Sequence, residues 1–262
     1  MQPGSYWAGF DLAVASLYAF YAFFIGLVLY INRESKREGY PLVIPGVSGS
    51  KGRPEGFPPM PPPKVYKLIH GGTAIAPRPE DPQPPLAAIP SDRYAGSPLI
   101  PTGDPMVDQV GPASYALRRD EPDLTFDDST PKIRPLRTMN DVIVDPADPD
   151  PRGMPVLDAD GIVAGTCTDL WIDRSEAMFR YLEVQVPLDD GSTRQALIPV
   201  PLSKVDPDWR VVKVKALRRR HFATIPALRN PDIITLLEED KIQGYVAGGH
   251  LYAKPSRQEP LL

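Results

Sequence analysis

No lysine or arginine occurs before Arg33, and no charge of either sign occurs from Leu12 to Ile31. A cleaved signal peptide needs a basic stretch, a shorter apolar run and a small-residue cleavage site, so the first absence argues against one. A second uncharged run of this length is also lacking, which argues against a channel or a multi-span transporter. Cysteine is nearly absent. Cys167 is the single one, so no internal disulfide exists and a reducing compartment is implied. It lies in an apolar stretch and reads as a small core residue. The three histidines, His70, His221 and His250, are too scattered for metal-ligand spacing, and no metal site is expected. Basic excess is missing as well. With 29 Lys and Arg against 33 Asp and Glu the formal net charge is -4, which speaks against a nucleic-acid partner. No nucleophile elbow, phosphate loop or paired catalytic constellation stands out, so no catalytic residue is assigned and a membrane-anchored enzyme is the weaker rival.

What is present begins with that uncharged run, LAVASLYAFYAFFIGLVLYI at 12–31. A helix of about 20 residues rises roughly 30 Å, the thickness of a bilayer's hydrocarbon core. The run predicts one transmembrane helix with residues 32–262 on a single side. Arg33, Lys36 and Arg37 follow it closely, while Asp11 is the only charge before it. Positive flanks stay cytoplasmic, so the N-terminus is expected in the periplasm and the large C-terminal part in the cytoplasm. Trp7 and Tyr30 sit near the two ends, where amphipathic rings favour the interface. Ala15, Ala19, Ala22 and Gly26 fall on one helix face. Small residues there let a second helix approach closely in lipid.

Proline is the second loud signal, with 34 in 262 residues, more than twice the usual share. Most fall between Pro41 and Pro155. PPMPPP at 58–63 and PRPEDPQPP at 77–85 cannot be helix interior or central strand. Apolar pairs interrupt the prolines: Val65 and Tyr66, Leu68 and Ile69, Leu86 and Ile89, Leu99 and Ile100. This pattern reads either as a disordered stretch or as an extended segment that drapes over a partner surface, and in neither case are ladders of its own expected. Beyond Pro155 the period changes to two. MPVLDADGIVAGTCTDLWID at 154–173 reads as two strands around the turn Asp158 to Gly161. Leu182, Val184 and Val186 alternate with Tyr181, Glu183 and Gln185, which are expected on the opposite face. Gln195 to Val200 returns, and Val211, Val212 and Val214 add a strand. Short strands spaced by turns predict a small antiparallel barrel. A final helix is predicted to start at Asn230 and Pro231 and to end at Gly248-Gly249. The dense basic run Arg218 to His221 reads as a solvated or lipid-facing surface.

Several stretches then resemble a known family, the H subunit of the purple-bacterial photosynthetic reaction centre, which carries a PRC-type barrel. They are Arg37-Glu38-Gly39-Tyr40-Pro41-Leu42 after the span, PTGDPMVDQVGPASYALRRD at 101–120, and DPRGMPV at 150–156. The two strongest are GTCTDLWIDRSEAMFRYLEV at 165–184 and TLLEEDKIQGYVAGGHLYA at 235–253. The resemblance implies a membrane-anchored, mainly β subunit: one N-terminal transmembrane helix, an extended Pro-rich segment, a PRC-type β-barrel and a C-terminal helix. The corresponding organisation is 1–11 periplasmic, 12–31 transmembrane, 32–115 extended on a surface, and 116–262 the cytoplasmic barrel domain.

The resemblance further implies that this chain binds no cofactor by itself. Partner subunits would hold bacteriochlorophyll, bacteriopheophytin, quinones and a non-haem iron. The implied partners are the L and M subunits, membrane lipids and, further out, a cytochrome subunit and the light-harvesting antenna. The implied location is the bacterial inner membrane or its intracytoplasmic (chromatophore) extension. The chain would cap the pigment-binding core and help deliver protons to the secondary quinone. Glu176 matches the family's interior glutamate on that path, with Asp173 and Arg180 as its neighbours and Asp123 nearer the surface. Buried carboxylates beside other carboxylates are suited to such transfer, since burial and like charge raise their pKa. Read from spacing alone, an acid in an inter-strand link is more often an ordinary solvated loop residue, and only the resemblance reverses that reading. Asp127 and Asp128 stand where some family members carry histidines; they are either a proton entrance or two solvated loop aspartates. The acid run 238–240 reads as a solvated face with Lys241, and Glu239 in it is a candidate to border the same network. The rival reading is a membrane-tethered PRC-barrel adaptor or assembly protein without a photosynthetic role.

Overall fold

A computed structural model describes residues 11–39, 56–77, 85–94 and 97–258. Trp7, Tyr40 to Leu42 and most of the run PRPEDPQPP lie outside these residues. Two compact units emerge: residues 1–84 with 91–98, and residues 85–90 with 99–262.

In the first unit, α1 spans Leu12–Ser35, four residues beyond the apolar run, with the Asp11 carboxylate capping it at the Ala13 N–H, 2.9 Å away. It is long and apolar enough to cross a membrane, and none of its most apolar stretch is buried within the chain. Ala19, Ala22 and Gly26 are exposed and Ala15 is half-buried. Open space surrounds Gly26. The helix ends in turns at Lys36 to Gly39, where Gly39 takes a positive φ that few other residues adopt cheaply. Two strands follow, β1 (Lys64–Lys67) and β2 (Thr73–Ala76), paired antiparallel with Val65 opposite Ile75.

The Pro-rich segment therefore does form ladders, contrary to the expectation from its composition. Prolines exclude long strands but leave windows of three or four residues. β1 and β2 occupy one window. In the second unit β3 (Ala88–Pro90) and β4 (Leu99–Pro101) occupy another, with Ile89 opposite Ile100. The prolines of this second pair stand at strand ends, where a missing N–H costs least.

The rest of the second unit is one seven-stranded sheet: β5 (Ile133–Pro135), β6 (Pro155–Leu157), β7 (Val163–Asp173), β8 (Met178–Pro187), β9 (Thr193–Pro199), β10 (Lys204–Asp206) and β11 (Val211–Lys213). The order is β10-β11-β6-β7-β8-β9, with β5 also on β7. The pairing is antiparallel except between β11 and β6, which run parallel. The sheet does not close: β9 and β10 remain its two ends, so the barrel predicted from the strand spacing is an open one. A three-residue 3-10 turn at Val200–Leu202 separates those two strands and redirects the chain.

The longest strands, β7 and β8, are buried on both faces over much of their length. Tyr181 and Glu183 are buried along with Leu182 and Val184. The predicted polar face is covered by the final helix on the Tyr181 side and by Arg137 on the Glu183 side. Trp171, Leu170, Ile198, Phe222 and Tyr245 are among the largest fully buried side chains. Each such side chain contributes roughly 1.5–3 kcal/mol of transfer free energy. Cys167 lies fully buried among them, and burial pushes its thiol up to about 12, as suits a core residue.

Helix α2 is a single turn, Arg219–Phe222, and α3 spans Leu236–Tyr252. The basic run is not uniformly solvated: His221 is buried, and Arg218 pairs with Asp160 at 2.8 Å. Both predicted ends of the last helix move. It starts after Thr235, whose hydroxyl accepts from the Glu238 N–H while the Glu238 carboxylate accepts from the Thr235 N–H. It runs through Gly248 and Gly249, because those glycines serve close contact. A Cβ at Gly248 would lie 2.5 Å from the Ala113 Cβ, and one at Gly249 would lie 2.6 Å from the Ala216 carbonyl oxygen.

Candidate functional site: the β7–β8 turn

Asp173 ends β7, and its position follows from the sheet. Strand β5 pairs with the end of β7, setting Ile133 opposite Asp173. Lys132, one residue earlier, is thereby brought alongside. The loop 123–132 closes as a narrow ribbon: Lys132 N–H donates to the Asp123 carbonyl at 2.8 Å, and Leu124 bridges Pro131. Asp123 is thus fixed beside the same lysine.

The Asp173 side chain is 0 % exposed. One oxygen accepts the N–H groups of Ser175 (2.9 Å) and Glu176 (3.1 Å), an Asx-type turn that shapes the connection to β8. The other faces Arg180 Nε at 3.3 Å and Lys132 Nζ at 3.4 Å. Arg180 reaches Glu176 at 3.3 Å, and Lys132 reaches Glu176 at 3.9 Å and Asp123 at 3.8 Å. Three carboxylates and two cations therefore form one continuous cluster. Asp173, Glu176, Arg180 and Asp123 are brought together. Lys132 is the member sequence reading missed, since a lone lysine carries no local signal and only strand register places it.

Within this chain the interior member is Asp173, not Glu176. Glu176 sits at the apex of the turn with its side chain 49 % exposed.

Glu239 borders the cluster. The Tyr181 hydroxyl donates to its Oε2 at 3.1 Å and accepts from Gln243 at 3.1 Å. Burial pushes the Glu239 carboxyl above its ordinary value. The Tyr181 hydroxyl, Arg118 and Arg180 oppose this, and Asp123 adds to it. Burial likewise pushes the Tyr181 phenol up, helped by the Glu239 charge.

Asp127 and Asp128 part company. Asp127 is exposed on the loop. The Asp128 carboxylate accepts from the Thr125 hydroxyl, from the Thr130 N–H (3.1 Å) and hydroxyl (2.8 Å), and pairs with Arg174 at 3.1 Å. These donors, the Thr125 hydroxyl first, hold it well below the ordinary carboxylate range. A carboxylate so fixed stays ionised near neutral pH and acts as a loop clamp.

A second acidic pair was not singled out by sequence. Asp169 and Glu183 face each other across β7 and β8. Arg137 Nη1 reaches both, at 3.1 Å and 2.6 Å, and also holds Asp232 at 2.9 Å through Nη2. The Trp171 indole N–H donates to Glu183 at 2.8 Å. An acid near the middle of each of two strands, Glu183 between Leu182 and Val184 and Asp169 before Leu170 and Trp171, is the signal available for it.

Among the described residues no three His, Cys, Asp or Glu side chains are grouped to hold a metal ion. Of the juxtamembrane basic residues, Arg33 lies in the last turn of α1. Lys36 is buried and donates to the Pro58 carbonyl at 2.6 Å. Arg37 pairs with Glu34 at 2.9 Å and donates to the carbonyls of Pro62 (2.6 Å) and Ala76 (3.1 Å).

Comparison with known families matches both parts of the chain. Residues 4–138 fit the N-terminal region of the photosynthetic reaction centre H chain, and residues 140–219 fit the PRC-barrel domain. The first match alone covers more than half of the 262 residues and contains α1, both short hairpins, Asp123 and Lys132. The second covers β7, β8 and the turn between them, with Asp173, Glu176 and Arg180. With its apolar helix, its mainly β body and its final helix, the chain belongs to the photosynthetic reaction centre H-chain family.

Proposed function

We propose that this chain caps the pigment-binding core of a reaction centre on the cytoplasmic side, and that the β7–β8 turn cluster is its part of a proton path to the secondary quinone. The continuous cluster of Asp123, Lys132, Asp173, Glu176 and Arg180 carries this reading. The quinone, held by partner subunits, supplies the electron acceptor. A quinone reduced twice in a buried site must take up two protons, because a buried dianion is prohibitively costly.

The residues divide the work. Asp123, with its side chain 48 % exposed, exchanges protons with water. Lys132 and Arg180 keep neighbouring carboxylates from repelling one another. Asp173 anchors the turn through two backbone N–H groups and two cations. Glu176, at the apex, passes the proton toward the partner-covered side. Asp127 and Glu239 stand at the margins as entrance and reservoir. The pigments, quinones and iron belong to the partner L and M subunits. A cytochrome subunit and the antenna are outer neighbours.

The same reading places the segment 32–115 on the partners' surface and residues 116–262 as the cytoplasmic domain. The small-residue face of Ala15, Ala19, Ala22 and Gly26 would receive a partner helix. Orientation follows from the basic flank. Protease added to inside-out vesicles should degrade most of the chain. Protection there, with cleavage in right-side-out cells, would reverse the assignment. The proton role is tested by flash-induced proton uptake in the purified complex. Glu176→Gln keeps shape but removes the exchangeable charge, so uptake on the second electron should slow by about tenfold or more. Unchanged uptake would end the relay role.

A further inference from the structure

Arg174 is the first residue after β7, inside the turn that carries Glu176, and its bonds lead away from that turn. Its N–H donates to the Lys132 carbonyl at 3.0 Å, which continues the pairing of β5 with β7 by one step. Its guanidinium reaches further along the loop 123–132. Nη1 donates to the Thr130 hydroxyl, and Nη2 donates to the Asp128 carboxylate at 3.1 Å. Asp128 in turn accepts from the Thr125 hydroxyl and from the Thr130 N–H and hydroxyl. One side chain of the turn therefore grips the distal end of the loop, while Lys132 joins the loop's base to Asp173 and Glu176.

Apolar burial does little to hold that distal end. The residues from Phe126 to Ser129 are all exposed, Phe126 by 74 %. A cavity of about 520 Å³ is bordered by Thr125 and Asp128 of the loop and by Arg174 and Ser175 of the turn. Arg174 and Asp128 join its two sides. A lone exposed ion pair is a weak tether, but a guanidinium fork fixed within a bonded network holds better. The links that make the proton cluster continuous are also long. Lys132 stands 3.8 Å from Asp123 and 3.9 Å from Glu176. A swing of the loop by about 1 Å breaks them, and displacements of that size matter where reacting groups must stay aligned.

We propose that Arg174 is a positioning residue of the proton path: its fork on Asp128 and Thr130 holds the loop 123–132 against the β7–β8 turn, so that Lys132 keeps Asp123 linked to Glu176. This rests on the path proposed above. Arg174 passes no proton itself, since a guanidinium stays charged in proteins. It acts through distance. The rival role is purely electrostatic, a positive charge that favours ionised Asp173 and Glu176 without holding anything. The two roles differ in what they require of Asp128. Removing that carboxylate breaks the clamp, yet it leaves the surroundings of Asp173 and Glu176 more positive, as the rival role would favour.

The test is a double-mutant cycle in the purified complex with its partners, read as the rate of second-electron transfer to the secondary quinone after two flashes. Arg174→Met keeps the aliphatic bulk and removes the fork. Asp128→Asn leaves Arg174 facing an amide donor in place of an acceptor. Each single variant is expected to slow the rate by about fivefold, and the double variant to be no slower than either, because both break one clamp. First-electron transfer, which needs no complete protonation, is expected to stay at the parent rate, unlike that of a complex that has merely lost stability. Slowing that multiplies in the double variant, or an Asp128→Asn complex as fast as the parent, would show Arg174 acting by charge and overturn the proposal. An unchanged rate in Arg174→Met, with Glu176→Gln slowed, would overturn it while leaving the path intact. An unchanged rate in Glu176→Gln would remove the path, and the positioning role with it.

Discussion

Strands β7 and β8 carry two clusters of acids, and the same residue types serve opposite ends in them. Asp169 and Glu183 lie mid-strand, each side chain 7 % exposed, bridged by one guanidinium and capped by the Trp171 indole. Asp173 and Glu176 lie where the strands turn and share Lys132 and Arg180, Asp123 joins them through Lys132 from the neighbouring loop, and the cluster opens to the surface at Asp123 and Glu176. The mid-strand pair, nearly buried and bonded to Arg137 and Trp171, borders a surface cavity of about 580 Å³. It costs desolvation and offsets that cost only while its cation remains. An open cluster with shared cations gains little stability per contact, since exposed ion pairs are worth up to about 1 kcal/mol, but its members can exchange protons with water. Stability should therefore follow the first cluster and proton transfer the second.

The largest effect expected on folding is from Arg137→Ala. It leaves Asp169 and Glu183 facing each other without a cation, at a cost of about 3 kcal/mol, the lower end for a buried pair because Arg137 itself is partly exposed. Thermal denaturation of the full chain would register this as a drop of several degrees. A loss under about 0.5 kcal/mol would show that water already screens that pair, and the contrast between the clusters would fail. Asp173→Asn comes next. The amide oxygen can still accept the Ser175 and Glu176 N–H groups, but the charge facing Lys132 and Arg180 is gone, so a loss of about 1–2 kcal/mol is expected in the same measurement. Glu176→Gln should leave stability within about 0.5 kcal/mol, as befits an exposed turn residue.

The loop 125–130 sharpens the comparison through pH. The Asp128 carboxyl is depressed in the folded state, so the folded chain binds fewer protons there than the unfolded chain. Its contribution is complete above the ordinary Asp value near 4 and is lost as pH falls through the depressed folded value. Asp128→Asn should therefore flatten the acid limb of the stability profile below about pH 4. An unchanged acid limb would mean that Thr125, Thr130 and Arg174 do not hold the Asp128 carboxylate in solution.

Much of the fold was legible because its signals are local. The uncharged run 12–31 gives α1, and the turn at Asp158 to Gly161 and the alternation after Pro155 give the main strands. What escaped depends on tertiary contact. Gly248 and Gly249 resemble a helix stop, but they are there to admit Ala113 and Ala216. Asn230 resembles a cap, but Thr235 with Glu238 is the better one. The missing closure between β9 and β10 and the parallel pair β11–β6 cannot be read from strand spacing. At the site, Asp173, Glu176 and Arg180 lie within eight residues and are visible as a group. Lys132 and Tyr181 join them only through strand register and helix packing. The Arg137-bridged pair escaped because period-two reading sends Glu183 to a solvent face that Arg137 and Trp171 in fact cover.

The claim that the turn cluster moves protons and the Arg137-bridged pair does not is tested most directly by one paired measurement. The rate of second-electron transfer to the secondary quinone is followed after two flashes in purified complexes carrying Glu176→Gln or Glu183→Gln, from about pH 6 to 9. The account predicts a rate slowed about tenfold or more, with altered pH dependence, in Glu176→Gln and an unaltered rate in Glu183→Gln. An unchanged rate in Glu176→Gln, or equal slowing in both, would contradict it.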